Sequence, residues 1–453
     1  MDVRRRQTPF SPESLAAILQ DLPTASRFLL AYSGGCDSQV LLHAAAQLHA
    51  ADATRIFHVV HVDHGLQAAS AEWARHCAAV CEELALPFTL LQVDARGGIG
   101  ESPEAAARHA RYRALAGLMQ AGDCLLTAHH QDDQAETLLL QLLRGGGPHG
   151  LAAMPALGPF AAGMHARPLL GFSREELRRY AQRHALQWID DPSNADSGFD
   201  RNYLRNSVMP VLRERWPAVA RVLARGAGHQ AEAAQLLDEL AAEDLRRCDA
   251  VEHSLRLSAL LALDAARQRN VLRYWLKSLG FKLPDTVRLA QVQHELLHAA
   301  PDRSPEVCWE GVVVRRYRDH VYALAPQAPV DGGEVIAWDI KQALQLPDGS
   351  RLLAIPSFGQ GIKRTLCRQQ AVTVRYRRGG EECQSAPHGV TRTLKNLLQE
   401  AGVPPWEREN IPLIYIDEQL AAVAGYWVCA PCRAAEDEEG IAFEWRRTVQ
   451  GGR

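Results

Sequence analysis

The chain has 453 residues, room for roughly three domains, and its 47% hydrophobic and 23% charged residues are ordinary for a globular protein. No uncharged apolar run approaches the ~18 residues of a membrane span, and the start Met1-Asp2-Val3-Arg4-Arg5-Arg6 leads into Thr8-Pro9 rather than an apolar core, so neither an anchor nor a secretory leader is expected. A net charge of −3 argues weakly against nucleic acid unless Lys and Arg cluster locally, and the ten cysteines lack disulfide-scaffold spacing, which suits a cytoplasmic protein.

Short apolar runs alternate with helical patterns through the first half. Strands are expected at 27–32, 56–62, 88–93 and 124–128, and helices at 38–48, 71–84, 103–120 and 132–143. Strands separated by helices of this length imply an α/β fold with a doubly wound, mostly parallel sheet, whose ligands bind at the carboxyl ends of the strands. From about Trp216 the chain turns Ala/Leu/Arg/Glu-rich, with helical period over 228–247 and 255–279 and a short strand pair within 307–324. Pro326 to Gly333 reads as a linker. The remainder mixes short β-like runs with one helix at 391–401. The expected division is therefore a catalytic domain over 1–215, a helical domain over 216–326 and a small mixed α+β domain over 334–453.

Ser33-Gly34-Gly35-Cys36-Asp37-Ser38 follows the first strand and opens a helix. Glycines let the backbone approach phosphate oxygens, and the N–H groups of the turn and helix start bind the anion. Ser33 and Ser38 add hydroxyls, and Asp37 can reach a metal ion on the phosphates. No GxxxxGK(S/T) occurs, so the loop is not of the Walker type. The string resembles the loop of the PP-loop superfamily, which implies cleavage of ATP between its α and β phosphates and transfer of AMP to a substrate oxygen.

Further motifs stand at other strand ends. Asp63 and His64, in HVDHGL, can hold adenine or ribose or form a simple loop. His130, Asp133 and Glu136 recur every third residue, putting them on adjoining parts of a helix start. They could ligate zinc, though without HExxH spacing, or take magnesium or an ammonium group, which suits an ATP site better. On the preceding helix, beyond Glu104, Arg108 and Arg111 can face a common anion or form surface salt bridges. Arg201 and Arg205, one turn apart, suit phosphate or base contacts, and a surface role explains them equally. Between Ile362 and Gly380 six Lys and Arg residues occur with no acid, as in a nucleic-acid patch or a solvated edge strand.

Together FLLAYSGGCDS, HVDHGL, EAAARHARY, LTAHHQDDQAETLLLQLLRGGG, ARPLL, WIDDPSNADSGFDRNYLRNSVMP, VTVRYRRGGEEC and LKNLLQEAGVPPWERENIPLIYI closely resemble the tRNA(Ile)-lysidine synthetase family. The resemblance covers most of the first half and much of the last domain; the middle matches only in character. It implies a ligase that adenylates the wobble cytidine of an isoleucine tRNA with a CAU anticodon and joins free L-lysine to it. Ser33, Gly34, Gly35, Asp37 and Ser38 match that family's ATP loop, and His130, Asp133 and Glu136 its active-site motif. Asp37 is then expected to serve Mg2+ and pyrophosphate, and Asp133 and Glu136 to hold the amine, either one as its base. Arg108, Arg111, Arg201 and Arg205 would balance charge on ATP, the adenylate or tRNA, and Arg375, Arg377 and Lys395 would contact the tRNA backbone. Two positions depart from the pattern. Gln67 replaces a basic residue, and Gly146 a small hydroxyl residue. Trp406 is expected in a core, and Cys429-Ala-Pro-Cys432 as an incidental pair. The nearest rival is a tRNA thiolation enzyme of the same superfamily, which needs cysteines to carry sulfur or a cluster.

Overall fold

The computed structural model describes residues 9–65, 69–94, 103–300, 303, 305–326, 333–386 and 389–447, with the side chains of 103–105 left aside. Gln67, the side chain of Glu104, the first eight residues and linker positions 327–332 lie outside what is described. The chain divides into two compact units, Met1–Leu237 and Asp238–Arg453.

In the first unit, helix α1 (Pro12–Gln20) precedes strand β1 (Arg27–Ala31), α2 (Cys36–Ala51), β2 (Phe57–Asp63), α3 (Ser70–Glu83), β3 (Phe88–Gln92), α4 (Pro103–Leu118), β4 (Asp123–Leu126) and α5 (Gln131–Leu143). The short α6 (Pro148–Leu151), strands β5 (Leu157–Phe160) and β6 (Gly163–Ala166), and α7 (Arg174–Arg183) follow. The sheet order is β3-β2-β1-β4-β6-β5, parallel throughout except for the edge strand β5. Alternation along β1 and β4 explains why both faces are covered. Phe28, Leu30 and Leu126 point into a core with α1, α2 and α7, whereas Leu29 and Leu125 pack with Val60, Leu115 and Met119 on the α4 side. Strand order reverses between β1 and β4, which opens a crevice at their carboxyl ends.

The unit continues through α8 (Asp200–Tyr203), a wide π-type turn (Leu204–Val208), α9 (Met209–Arg215) and the start of α10 (Val219–Arg247). Such turns insert a residue into the helical ladder and re-aim its side chains.

The second unit corrects the helical reading of the middle region. Residues 255–279 are not one helix but a strand Ser254–Arg256, a helix Leu257–Leu261 and a helix Ala265–Ser278. Asp264 starts the second helix by accepting the N–H groups of Ala266 and Arg267, a local bond that outcompetes continuation. Within 307–324 three strands form rather than two, Glu306–Trp309, Val312–Tyr317 and His320–Leu324, because Gly311 turns the chain at φ +74°. With Ser254–Arg256 they make a four-stranded antiparallel sheet over a core centred on Trp275. The C-terminal part holds a five-stranded and a four-stranded sheet, and helices Arg364–Gln369 and Pro405–Arg408 besides the expected one, Leu394–Glu400.

Trp406 is half-buried, edge-on to Tyr317 and Tyr322 with the Arg315 guanidinium over its ring, rather than inside a hydrophobic core as expected. Cys429 does not pair with Cys432. It forms a disulfide with Cys383, 46 residues away, with Cα atoms 5.6 Å apart, so the widely spaced cysteines do hold one bridge.

Candidate functional site

A cleft of about 510 Å3 opens at the reversal of strand order, within the size range of small-molecule sites. Its floor is Ser33, Gly35, Cys36, Asp37 and Ser38 after β1; Val62 and Asp63 at the end of β2, with His64 and Gly65 after it, form one wall, and Thr127, Ala128 and His129 after β4 the other.

The glycine loop is held by its own hydroxyls. Ser38 Oγ donates to the Gly35 carbonyl at 2.9 Å and lies 3.0 Å from Ser33 Oγ. Gly34 adopts φ +82°, and a Cβ there would stand 2.9 Å from Ile189 Cδ1 and 3.1 Å from Cys77 Sγ. Replacing Gly34 by Ala is therefore expected to cost about 1–3 kcal/mol of backbone strain and to weaken binding of a non-hydrolysable ATP analogue at least tenfold by calorimetric titration. Unchanged affinity would show that the loop does not meet the nucleotide.

Asp37 lies in the first turn of α2, its Oδ2 3.4 Å from His130 Nε2. Its Oδ1 is buried without a hydrogen-bond partner among the described residues. Along β2 the Asp63 carboxylate accepts the Gly65 N–H at 2.8 Å, which fixes the turn. His64 Nδ1 is buried with no partner among the described residues, and burial, helped by Arg111, lowers its pKa. Trp73 and Tyr112 add flat apolar surface on the same side.

His130 caps α5. Asp133 Oδ2 accepts the His130 N–H at 3.0 Å, and the Asp133 N–H meets His130 Nδ1 at 3.2 Å. Burial opposes a charge on this ring, but Asp133 and Asp37 outweigh it and lift its pKa to about 9. Burial would raise the Asp133 carboxyl, yet His130 and Arg201 hold it down at about 2. Glu136, one turn further, receives two hydrogen bonds of 2.8 Å from Arg205, whose Nη2 also reaches Asp133 Oδ1 at 2.8 Å. Arg201 lies 3.3 Å from Glu136 and donates to Thr137 Oγ1 at 2.7 Å.

The six residues from Asp37 to Arg205 thus form one ionic cluster, with an arrangement that sequence spacing could not supply. His130, Asp133 and Glu136 are only 1%, 9% and 2% exposed and do not line the cleft; Arg205, on the π-type turn, covers them and does. Among the described residues no group of three or more His, Cys, Asp or Glu side chains is placed to hold a metal ion, which disfavours the zinc alternative.

Of the two α4 arginines expected to face an anion, Arg111 lines the cleft, while Arg108 stacks on Tyr112 at 5.1 Å and does not. Two cleft cations were missed by the sequence reading, Arg174 and Arg178 on α7. The available signal was the capping box of Ser173 and Glu176, which starts a helix just before two arginines one turn apart. In the second unit Arg375 makes a bidentate pair with Glu418 at 2.7 and 2.9 Å, Arg377 lies 3.5 Å from Glu381, and Lys395 is exposed.

A parallel sheet with an SGGxDS loop at its switch point and a buried acidic cluster beside it defines an ATP-using enzyme of the PP-loop class, and the PP-loop domain family model matches residues 8–212. Models described as the TilS substrate binding domain and the TilS substrate C-terminal domain match residues 255–322 and 372–445. The tRNA(Ile)-lysidine synthase of Coxiella burnetii is 41% identical over 442 residues, 97% of each chain. That of Alkalilimnicola ehrlichii is 45% identical over 415 residues, 91% of this chain and 93% of its own. Among solved structures, a U34-tRNA thiolase from Methanococcus maripaludis aligns at TM-score 0.40 with 16% identity, over 49% of this chain and 78% of that one. The chain belongs to the tRNA(Ile)-lysidine synthase family.

Proposed function

We propose that the cleft adenylates the wobble cytidine of isoleucine tRNA bearing a CAU anticodon and joins free L-lysine to it, releasing pyrophosphate and then AMP. The observation that carries this reading is that Asp37 and Arg205, which line the crevice with the Ser33–Ser38 loop, join it to the buried His130, Asp133 and Glu136 behind it.

In the first step the cytidine ring carbonyl oxygen attacks the α phosphorus and pyrophosphate leaves. Backbone N–H groups at the start of α2, with Ser33, Gly34, Gly35 and Ser38, hold the phosphates. Asp63 and His64, with Trp73, hold the nucleoside. Arg111, Arg174 and Arg178 offset phosphate charge. The unpartnered Asp37 oxygen fits Mg2+, which takes one or two carboxylates plus substrate phosphates and neutralises the leaving pyrophosphate when bound.

In the second step the lysine ε-amine attacks the activated ring carbon and AMP departs. The substrate ammonium takes the place of the Arg205 guanidinium against Asp133 and Glu136. Asp133 is already engaged by the His130 N–H and ring, so it holds the cation, and Glu136, released by Arg205, takes its proton. Residues 1–215 carry the chemistry, and 216–326 and 334–453 hold tRNA, with Lys395, Arg375 and Arg377 at its backbone.

The test is pyrophosphate release from ATP with isoleucine tRNA transcript, with and without labelled lysine. Lysine entering that tRNA but not methionine tRNA is the expected result; no ATP use at all would sink the reading. The thiolation alternative needs a reactive thiol, whereas burial pushes Cys36 and Cys124 up to about 11 and Cys77 and Cys81 up to about 12. Cys36→Ser is accordingly expected to keep lysine incorporation within about twofold of wild type, since a hydroxyl fits the same half-buried site.

A further inference from the structure

Behind the β4 wall runs a chain of polar groups that none of the steps above uses. Arg167, in the ARPLL string after β6, anchors itself by donating Nη1–H to the Pro155 carbonyl at 2.8 Å. Its Nη2 lies 3.1 Å from His165 Nδ1. His165 Nε2 lies 2.8 Å from Thr127 Oγ1, which in turn lies 2.8 Å from His129 Nδ1. His165 and Thr127 are buried, and His129 lines the cleft.

Only one arrangement of protons satisfies every link. Guanidinium N–H groups can donate and never accept. The Arg167 contact therefore requires a lone pair on His165 Nδ1, and the proton of that neutral ring sits on Nε2. That N–H donates to Thr127 Oγ1, which leaves the threonine hydroxyl hydrogen for His129 Nδ1. His129 is then protonated on Nε2, the ring nitrogen left over for the cleft. Both rings stay neutral, because burial, reinforced by Arg167, lowers the pKa of each to about 3.

We infer that Arg167, His165 and Thr127 are positioning residues that lock His129 as an Nε2–H donor toward an anionic oxygen of the bound substrates. The inference rests on the reading of this cleft as the site of ATP and lysine chemistry. Two sources share that oxygen chemistry, a phosphate of the nucleotide and the carboxylate of free lysine. A neutral donor of fixed tautomer needs no reorganisation when the oxygen arrives, and unlike an imidazolium it adds no charge that would repel the incoming ammonium. Without Arg167 the chain can run backwards, and His129 would then present a lone pair to the same oxygen.

The test uses the full-length protein with 15N-labelled histidine, the His129 resonances being assigned by their loss in His129→Gln. Wild type is expected to show the Nε2-protonated pattern at His129. Arg167→Met and Thr127→Val are expected to show mixed tautomers and turnover slower by about 10–100-fold, the usual effect of removing an orienting partner behind a working histidine. Thr127→Ser, which keeps the hydroxyl, is expected to retain the wild-type pattern and a rate within about threefold. A loss seen in pyrophosphate release places the acceptor on the nucleotide; a loss confined to lysine transfer places it on the amino acid. A wild-type tautomer in both disrupted variants, or wild-type rates despite a changed tautomer, overturns the inference. Should Arg167→Met fail to fold, the valine and serine variants at Thr127 decide alone. A wild-type protein that uses no ATP would remove the functional reading instead, which the tautomer measurement keeps separate.

Discussion

Asp37→Asn is expected to slow pyrophosphate release by about 10²–10³, a barrier increase of about 2.7–4 kcal/mol, while leaving the melting temperature close to wild type. The separation of activity from stability follows from the structure. Among the described residues Asp37 Oδ1 has no hydrogen-bond partner, and its Oδ2 lies 3.4 Å from His130, so an isosteric amide removes little that holds the fold together. What the amide removes is the negative charge available to Mg2+ at the phosphates. A second arm of the experiment varies Mg2+: chelation is expected to stop pyrophosphate release by wild type, and the Asp37→Asn variant to demand more of the ion. Pyrophosphate release within threefold of wild type at every Mg2+ concentration would take Asp37 out of the reaction.

The second large effect separates the half-reactions. Glu136→Gln is expected to reduce lysine incorporation by at least about 10², as loss of a general base does, while single-turnover pyrophosphate release stays within a few-fold of wild type. In the proposed reaction adenylation uses the phosphate loop, whereas the ammonium meets the carboxylates that Arg205 covers. The substitution also leaves Arg205 with a neutral partner in a buried site. A loss of about 2 kcal/mol is expected, since bonds to charged groups are worth about 1.5–3 kcal/mol, and thermal melting would read it as a few degrees. If both half-reactions fall together, Glu136 is holding the architecture of the cleft and not receiving a proton. If neither falls, the amine is handled elsewhere.

Much of the first unit was legible before any coordinates. β1 to β4 and α2 to α5 fall within a few residues of their expected places, because buried parallel strands read as apolar runs and the helices between them cannot be strands at that length. The cleft position was legible for the same reason, since topology puts ligand-binding turns at the strand ends. Legibility fell where local bonds decide. Ser254–Arg256 is too short to show alternation, and Asp264 restarts a helix that propensity alone would continue. It fell again for the basic run in the C-terminal part. Lys363, Arg364 and Arg375 look unpaired along the chain, yet Glu438, Glu439 and Glu418 come to them from far along it, while Glu381 meets Arg377 from just past the run. Cys383 and Cys429 meet in the same way, across 46 residues whose spacing announces nothing.

By itself the sequence determined which residue types stand at the ends of β1, β2 and β4, and hence the class of chemistry: a glycine loop at Gly34 and Gly35, a carboxylate at Asp37, and an acidic helix start at His130–Glu136. Those are matters of local backbone geometry, set by residues within a few positions of each other. Tertiary structure alone decided which charges neutralise which. Arg205 sits 69 residues from Glu136, and Arg167 acts on His129 only through two intervening side chains. Partners that distant are chosen by packing, since a buried charge or ring nitrogen must find a complement wherever the fold brings one.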